Sequence, residues 1–447
     1  MGRVRLKTRK ASLTFLLCLP VLLCTSGCIS MEWRGGMVPH FGLGSTKNLT
    51  IVQNKEEHFR EIGTVWPEFR GPNRLGIAPD QDIDIAWDRR PATKWIWPAG
   101  QGHSSLICNQ HLLFTLEQNG SKEFLVARRI DSGQEAWRVG KHTQWEDMMS
   151  GAGPRSTPTL NNGHLYTLFS NGILAKILPE NGKILWEKKV ISNDYNFPEW
   201  GLSCSPFVWK NLVILNLGGN ESAAQAFDKD SGNLVWSSDL QGEGVYLSPS
   251  TLKLLNEEHL LVAVKGKIAG LDPFTGKTKW EKKWKIFLNN AQIAQPLTLT
   301  DKSMLITAGY GRGAECWSLT KEGGKYEIET AWRSKNLKAK FSNPVLHDGF
   351  IYGLSENLLV CLKAENGDLQ WRGKKYGYGR IILSEDKLLI LGSTGVLSIV
   401  EAHPQSFQEV QSFQLLSNAR CWNGPALVGG YLFARNGEQV ACFDFAR

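Results

Sequence analysis

Short runs of alternating apolar and polar residues, broken by tight polar turns, fill the chain from about residue 66 onward. The stretch after Pro158 shows the unit. It runs Thr159-Leu160, a turn at Asn161-Asn162-Gly163, His164-Leu165-Tyr166-Thr167-Leu168, and a turn at Ser170-Asn171-Gly172. Then come Ile173-Leu174-Ala175-Lys176-Ile177, a turn at Asn181-Gly182 and Ile184-Leu185-Trp186. Period-two alternation predicts strands. Asn-Gly between two such runs predicts a hairpin, because a type I′ turn needs positive φ at both central residues. No helical periodicity of useful length intervenes, so each unit reads as four short antiparallel strands.

Two markers repeat in phase. A Gly is followed four residues later by Trp at Gly133/Trp137, Gly182/Trp186, Gly232/Trp236, Gly276/Trp280 and Gly367/Trp371, each after a short, mostly polar turn. Trp332 continues the series and Trp95 or Trp97 opens it, with steps of 39 to 52 residues. A small or polar residue before Pro opens another strand at Thr157, Ser205, Ser248, Gln295, Asn343 and Gly424. One repeat, near Gly379-Arg380-Ile381-Ile382, lacks its Pro. A period of 40 to 50 residues marks units that cannot bury their faces alone and must pack on one another. Radial packing of four-stranded units predicts an all-β propeller. The 382 residues from Trp66 to Arg447, shared among eight units, leave just under 48 apiece. The last unit lacks its Trp strand, which Ala92-Thr93-Lys94-Trp95-Ile96-Trp97 supplies by pairing with Gln439–Asp444. This predicts eight blades in a ring closed by the two ends of the repeat region.

The formal charge of +8 changes meaning once located. Arg3, Arg5, Lys7, Arg9 and Lys10 precede the apolar run Leu13–Cys24, which is too short to span a bilayer comfortably but suits a signal peptide. The remaining chain is close to neutral, which excludes a dominant nucleic-acid footprint. Thr25-Ser26-Gly27-Cys28 resembles a bacterial lipobox, with Thr25 where Leu is usual. Cys28 is the expected lipid attachment point. The expected organisation is a signal peptide over 1–27, a tether over 28–65 and the propeller over 66–447. Of nine cysteines, the six beyond the signal region are scattered, with no CxxC pair and no His at ligand spacing, so no metal site is expected. Cys361 and Cys442 lie in apolar strands and read as buried thiols. No nucleotide-binding, zinc-protease or serine-hydrolase motif is present.

The Gly-x-x-x-Trp strand after a polar turn resembles the pyrroloquinoline-quinone-type (PQQ-type) propeller repeat. The best matches are Gly270-Leu271-Asp272 through Trp280 and Ala226-Phe227-Asp228 through Trp236. The opening Trp66-Pro67-Glu68-Phe69-Arg70-Gly71-Pro72-Asn73-Arg74 and the end, Cys421-Trp422-Asn423-Gly424-Pro425 through Asp444, resemble those of exported bacterial propellers. Within that family the resemblance admits three models, one of them the exported propellers of unassigned role to which the Arg70-Gly71-Pro72-Asn73 entry points, and two with a defined role. One is that of the lipoproteins of the outer-membrane β-barrel assembly machine: a non-catalytic scaffold in the cell envelope, without cofactor, binding envelope or outer-membrane proteins through its loops. The alternative is a quinoprotein alcohol or sugar dehydrogenase holding PQQ and calcium in its central funnel. Those enzymes carry adjacent cysteines, absent here.

Candidate residues follow from position. One indole per unit at Trp137, Trp186, Trp236, Trp280, Trp332 and Trp371 reads as docking between blades rather than ligand stacking. The turn acids Asp131, Asp228, Asp230 and Asp272 read as Asx-type caps. His103, Arg155, Ser205, Ser248, Gln295, Asn343, Arg380 and Asn423, at the starts of the innermost strands, are expected to ring one mouth of the central channel. Cations and amides without carboxylates suit an anionic or polar ligand, or a hydrated channel, and not a calcium site. The loop Gly140–Asp147 and the insertion Lys321–Tyr326 are the expected partner-contact surface.

Overall fold

A computed structural model describes residues 29–34, 38–43, 51–53, 59–79, 81, 83–287 and 291–447. Cys28, the basic stretch and the apolar run before it lie outside the described residues. Eight antiparallel sheets, seven of four strands and one of five, make the propeller. Blade 1 comprises Ile107–Cys108, Leu112–Asn119, Lys122–Arg129 and Glu135–Lys141. The innermost strands of blades 2 to 8 are Thr159–Asn161, Phe207–Trp209, Ser250–Leu254, Leu297–Thr300, Val345–His347, Arg380–Ser384 and Ala426–Val428. In the unit after Pro158 the four expected strands appear at Thr159–Asn161, His164–Leu168, Ile173–Ile177 and Ile184–Lys189. Asn162 and Gly163 both take positive φ, 46° and 72°, as the I′ hairpin requires.

The ring closes as the sequence predicts. Gln439–Asp444 pairs antiparallel with Ala92–Pro98, setting Cys442 opposite Trp95. Val52–Gln53 adds a fifth strand outside that pair. The closing blade also draws in residues ahead of Trp66: Phe59 stacks on Tyr431 with centroids 4.0 Å apart, and Arg60 holds Asp444 at 2.6 Å.

Five of the eight joints between blades repeat one contact. Trp137 Nε1 donates to Pro179 O at 2.8 Å, in the turn that opens the outer strand of the next blade, and its ring lies under Gly182. Trp95 and Trp97 to Ile130 and Ser132, Trp186 to Lys229, Trp332 to Ala364 and Trp371 to His403 repeat the bond. A methyl group on Gly182 would stand 2.7 Å from the Trp137 ring, at a φ of 73°. Opposite six of the seven indoles the third strand carries small residues, Ala127, Ala226, Gly270, Cys316, Cys361 and Cys442, and opposite Trp186 it carries Lys176. Three of the scattered cysteines are therefore spacers beneath indoles. Burial pushes the Cys361 thiol up to about 12 and Cys442 well above its ordinary value.

Two joints differ. Trp236 packs against Gly276, but its Nε1 has no partner. Trp280 bonds back to His259 Nδ1 of its own blade at 3.1 Å, because blade 5 replaces the tight Gly turn with the long hairpin Gly313–Glu322/Lys325–Ser334. The turn acids also divide. Asp228 and Asp272 accept backbone N–H bonds two and three residues on, as Asx caps do. Asp131 pairs with Arg129, and Asp230 reaches across the joint to buried Lys176 at 2.8 Å.

A second set of bonds runs around the axis. Gly424 N donates to Ser105 Oγ, Ser105 N to Thr157 Oγ1, Thr157 N to Ser205 Oγ, Ser205 N to Ser248 Oγ and Gln295 N to Asn343 Oδ1, at 2.6–3.0 Å. Each links neighbouring blades. An innermost strand has no ladder partner toward the axis, so a buried N–H there needs a side-chain acceptor. The Pro that follows has no N–H to satisfy. The small-or-polar-then-Pro marker is this ring.

The segment Trp66–Ala78 crosses the channel and plugs it. Trp66 pairs with Cys108 of blade 1, Pro67 O accepts from Leu160 N of blade 2, and Gly76 and Ala78 bond Leu383 of blade 7. Arg74, 2% exposed, donates to the carbonyls of Ser205, Pro206 and Pro249 and holds Glu68 at 2.6 Å. Arg70 donates to Pro344 O at 3.0 Å.

Three outcomes are expected. Gly182→Ala, which meets both the indole and an unfavourable φ, should lower unfolding free energy by about 2–4 kcal/mol, against about 1–2 for Gly163→Ala, where φ alone is penalised; denaturant titration of both variants separates the terms. Arg74→Ala should cost about 3–5 kcal/mol by stranding Glu68 and three carbonyls, and hydrogen exchange should rise first over residues 66–76. Burial raises Glu123 to about 7 from 4.5, partly opposed by bonds from Ser170. The folded state therefore holds this proton more tightly, and stability falls as pH rises from about 4.5 to about 7. Glu123→Gln should remove roughly 3 kcal/mol of that loss, measured as the difference in melting behaviour between pH 5 and pH 8.

Candidate functional site

With one mouth sealed by the plug, the other becomes a cup of about 120 Å³. All eight blades reach it: His103, Arg155, Ser205, Ser248, Ile293, Phe341, Arg380 and Trp422, with Phe69 of the plug beneath. Five of the eight expected channel residues therefore meet there: His103, Arg155, Ser205, Ser248 and Arg380. Asn343 lines a hollow of about 20 Å³ between cup and plug with Arg70 and Arg380. Gln295 and Asn423 line neither. Asn423 Nδ2 donates to Gly102 O and Ser104 O, and Gln295 gives its backbone N–H to Asn343.

The expected set mixes two positions. Residues before the Pro marker (Ser205, Ser248, Gln295, Asn343) belong to the hydrogen-bonded ring. Residues two places earlier line the cup: Arg155, Ser203, Tyr246, Ile293, Phe341 and Trp422, two before Thr157, Ser205, Ser248, Gln295, Asn343 and Gly424. In extended chain, residues two apart share a face. That offset was the signal for the missed cup residues. Phe69 and Trp200 had none.

Aromatic contacts build the wall. Trp200 stacks on Tyr246 at 5.1 Å, Phe341 meets Trp422 at 4.9 Å, and His103 meets Trp422 at 5.2 Å. Arg155 is tied by Asp147 at 2.8 Å and by Ser150 Oγ and Gly151 O at 2.6 Å. Arg380 Nε donates to Trp422 O at 2.7 Å, while its buried Nη1 has no partner. Burial lowers Arg155 and Arg380 to about 10 each, an effect that Asp147 partly offsets at Arg155. Arg70 below falls to about 9, through burial and then Arg380. Burial, then Arg155, hold His103 well below its ordinary value. Its Nε2 lies 2.7 Å from Ser150 O, so Nε2 carries the proton and Nδ1 is a lone-pair acceptor.

The two expected contact loops are separated. Gly140 and Lys141 end an outer strand, and Trp145 to Ala152 fold over the cup, with Trp145 against Phe197 at 5.6 Å. The Lys321–Tyr326 hairpin docks on Glu257 of blade 4, Lys321 at 2.5 Å. Lys321 and Tyr326 push the Glu257 carboxyl down to about 2. By strand direction this hairpin sits at the opposite end of the blades.

The residues do not fit a quinone–calcium pair. No Asp or Glu lines the cup, whereas calcium takes six to eight oxygens, carboxylates prominent among them. No cluster of His, Cys, Asp or Glu at metal-holding distance exists among the described residues.

The chain matches no curated protein in sequence. Its fold resembles a europium-containing methanol dehydrogenase (TM-score 0.60, 12% identity, 84% of this chain and 90% of that one). It also resembles BamB from Moraxella catarrhalis (0.50, 16%, 83% and 96%) and the quinohemoprotein alcohol dehydrogenase of Comamonas testosteroni (0.58, 12%, 86% and 81%). At such identities these likenesses concern the fold alone. The family described as outer membrane protein assembly factor BamB matches residues 122–373, from blade 1 into blade 6. With more than half of its length matched, this chain belongs to the BamB-type PQQ-repeat propeller family.

Proposed function

We propose that this protein is an exported, membrane-tethered, non-catalytic scaffold that binds envelope proteins through the loops around its cup. The observation carrying this reading is the apolar rim: Met148 is 88% exposed, with Met149 and Phe197 also open to solvent beside Trp145 and Tyr195. Exposed apolar groups on rigidly held loops favour protein contact. The loop is braced from beneath, since Asp147 Oδ1 accepts the N–H groups of Met149 and Ser150 and its carboxylate holds Arg155. Membership of the BamB family, the basic-then-apolar N-terminus and the Cys28 motif support an envelope location with a lipid anchor. The alternative, a PQQ-dependent oxidoreductase, lacks the carboxylates its cofactor and calcium need.

The test is capture of envelope proteins by the tethered protein. Met148→Glu with Phe197→Glu should weaken retention of a specific partner by about tenfold or more, while Val235→Glu, on the exposed outer edge of blade 3, should leave it unchanged. Undiminished retention by the rim variant would overturn the reading. So would purified protein that co-elutes with added PQQ and calcium and reduces dye with an alcohol.

A further inference from the structure

Beneath the rim, the cup has a chemistry of its own. Its polar lining is rich in donors and poor in acceptors. Arg380 Nη1, Arg155 Nε, Trp422 Nε1 and Trp200 Nε1 are buried without any partner on side chains that line the cavity, against one unpartnered acceptor, His103 Nδ1. Trp422 is only 8% exposed, so water does not readily serve its N–H. A buried donor left unmatched costs about 1–3 kcal/mol, more when charged, and the lining of one cavity carries several. Among the described residues no Asp or Glu lines the cup, and Asp147 beside it is committed to Arg155 and to its own loop. Arg70 lies behind Arg380 and adds positive potential without bringing an acid.

The shape is equally restrictive. Phe69 floors the cup, and Trp200, Tyr246, Phe341 and Trp422 wall it. Its volume of about 120 Å³ is slightly below that of an apolar cavity known to admit benzene, about 150 Å³. It therefore takes one ring-sized apolar group, whereas a fused tricyclic quinone would overfill it.

We infer that the cup binds a carboxylate carried on a single aromatic or compact apolar group, with Arg380 and the Trp422 and Trp200 indole N–H groups meeting the oxygens and the aromatic walls enclosing the body. A planar guanidinium edge matches a planar carboxylate. The carboxylate has two sources, a free aromatic acid or the C-terminal end of a polypeptide with an apolar last residue. The inference stands apart from the rim reading: it concerns the cup interior, which rim substitutions leave intact.

Isothermal titration of the purified protein with benzoate tests it, with benzamide as the neutral isostere and N-acetyl-phenylalanine as the chain-end mimic. One benzoate should bind per chain, with benzamide at least tenfold weaker. Arg380→Gln, whose amide retains a donor, should weaken benzoate by about 10- to 100-fold, the equivalent of losing a charge-assisted bond. Trp422→Phe keeps a six-membered aromatic ring in the wall, loses the N–H with the pyrrole part of the indole, and should weaken it severalfold. Met148→Glu with Phe197→Glu should bind benzoate as before. Tighter binding of N-acetyl-phenylalanine than of benzoate assigns the site to chain ends, and the reverse assigns it to free acids. Equal binding of benzoate and benzamide, or no binding of any carboxylate, overturns the proposal. Undiminished affinity in Arg380→Gln with unchanged melting also overturns it.

Discussion

A blade of four strands has two apolar faces and can hide neither, and that constraint shapes the rest of the molecule. Five of the eight joints meet it with a bipartite contact. An indole fills the gap, and its N–H reaches a carbonyl of the following turn, so packing and hydrogen bonding fix the same spacing. Glycine in that turn and small residues beneath the ring are the corollary, since an indole sandwiched there leaves no room for a side chain. Where blade 5 substitutes a long hairpin, Trp280 turns back to His259, which shows that the turn carbonyl, and not the indole alone, sets the pattern.

Closing the ring creates a second demand. Eight innermost strands turn unpaired backbone toward the axis, and the molecule meets this in two ways. Side-chain oxygens pass hydrogen bonds from blade to blade, and the segment from Trp66 to Ala78 lies across the channel, spending two arginines on carbonyls that would otherwise be bare. At the closing joint, fully buried Arg435 does the same for blades 8 and 1, bonding Thr115, Leu116 and Gly100. Because the plug stops one mouth, what remains is a blind cup rather than a conduit.

The dehydrogenases and BamB share this architecture at 12–16% identity, so the frame does not discriminate between chemistry and binding. The difference lies in which groups the eight strand starts bring to the axis. Here they are cations, indoles and hydroxyls without a carboxylate, under an apolar rim. The cup therefore lacks the carboxylates prominent in sites for a hard divalent ion.

Strand period, blade number and the closing pair Ala92–Pro98 with Gln439–Asp444 were legible along the chain, because alternation, turn chemistry and repeat spacing are local properties that recur eight times. The docking indoles and their glycines were legible for the same reason. The plug was not: nothing in Trp66–Arg74 by itself says that Arg74 will meet carbonyls at positions 205, 206 and 249. Nor was the division between ring and cup: Ser205 and Ser248 serve both, whereas Gln295 and Asn343 hold the ring and stand outside the cup that His103, Arg155 and Arg380 line. Local sequence sets what each strand is. Only the closed ring decides what faces the axis, because each blade supplies one to three side chains from segments some 40 to 50 residues apart, and no short stretch contains the site they make together.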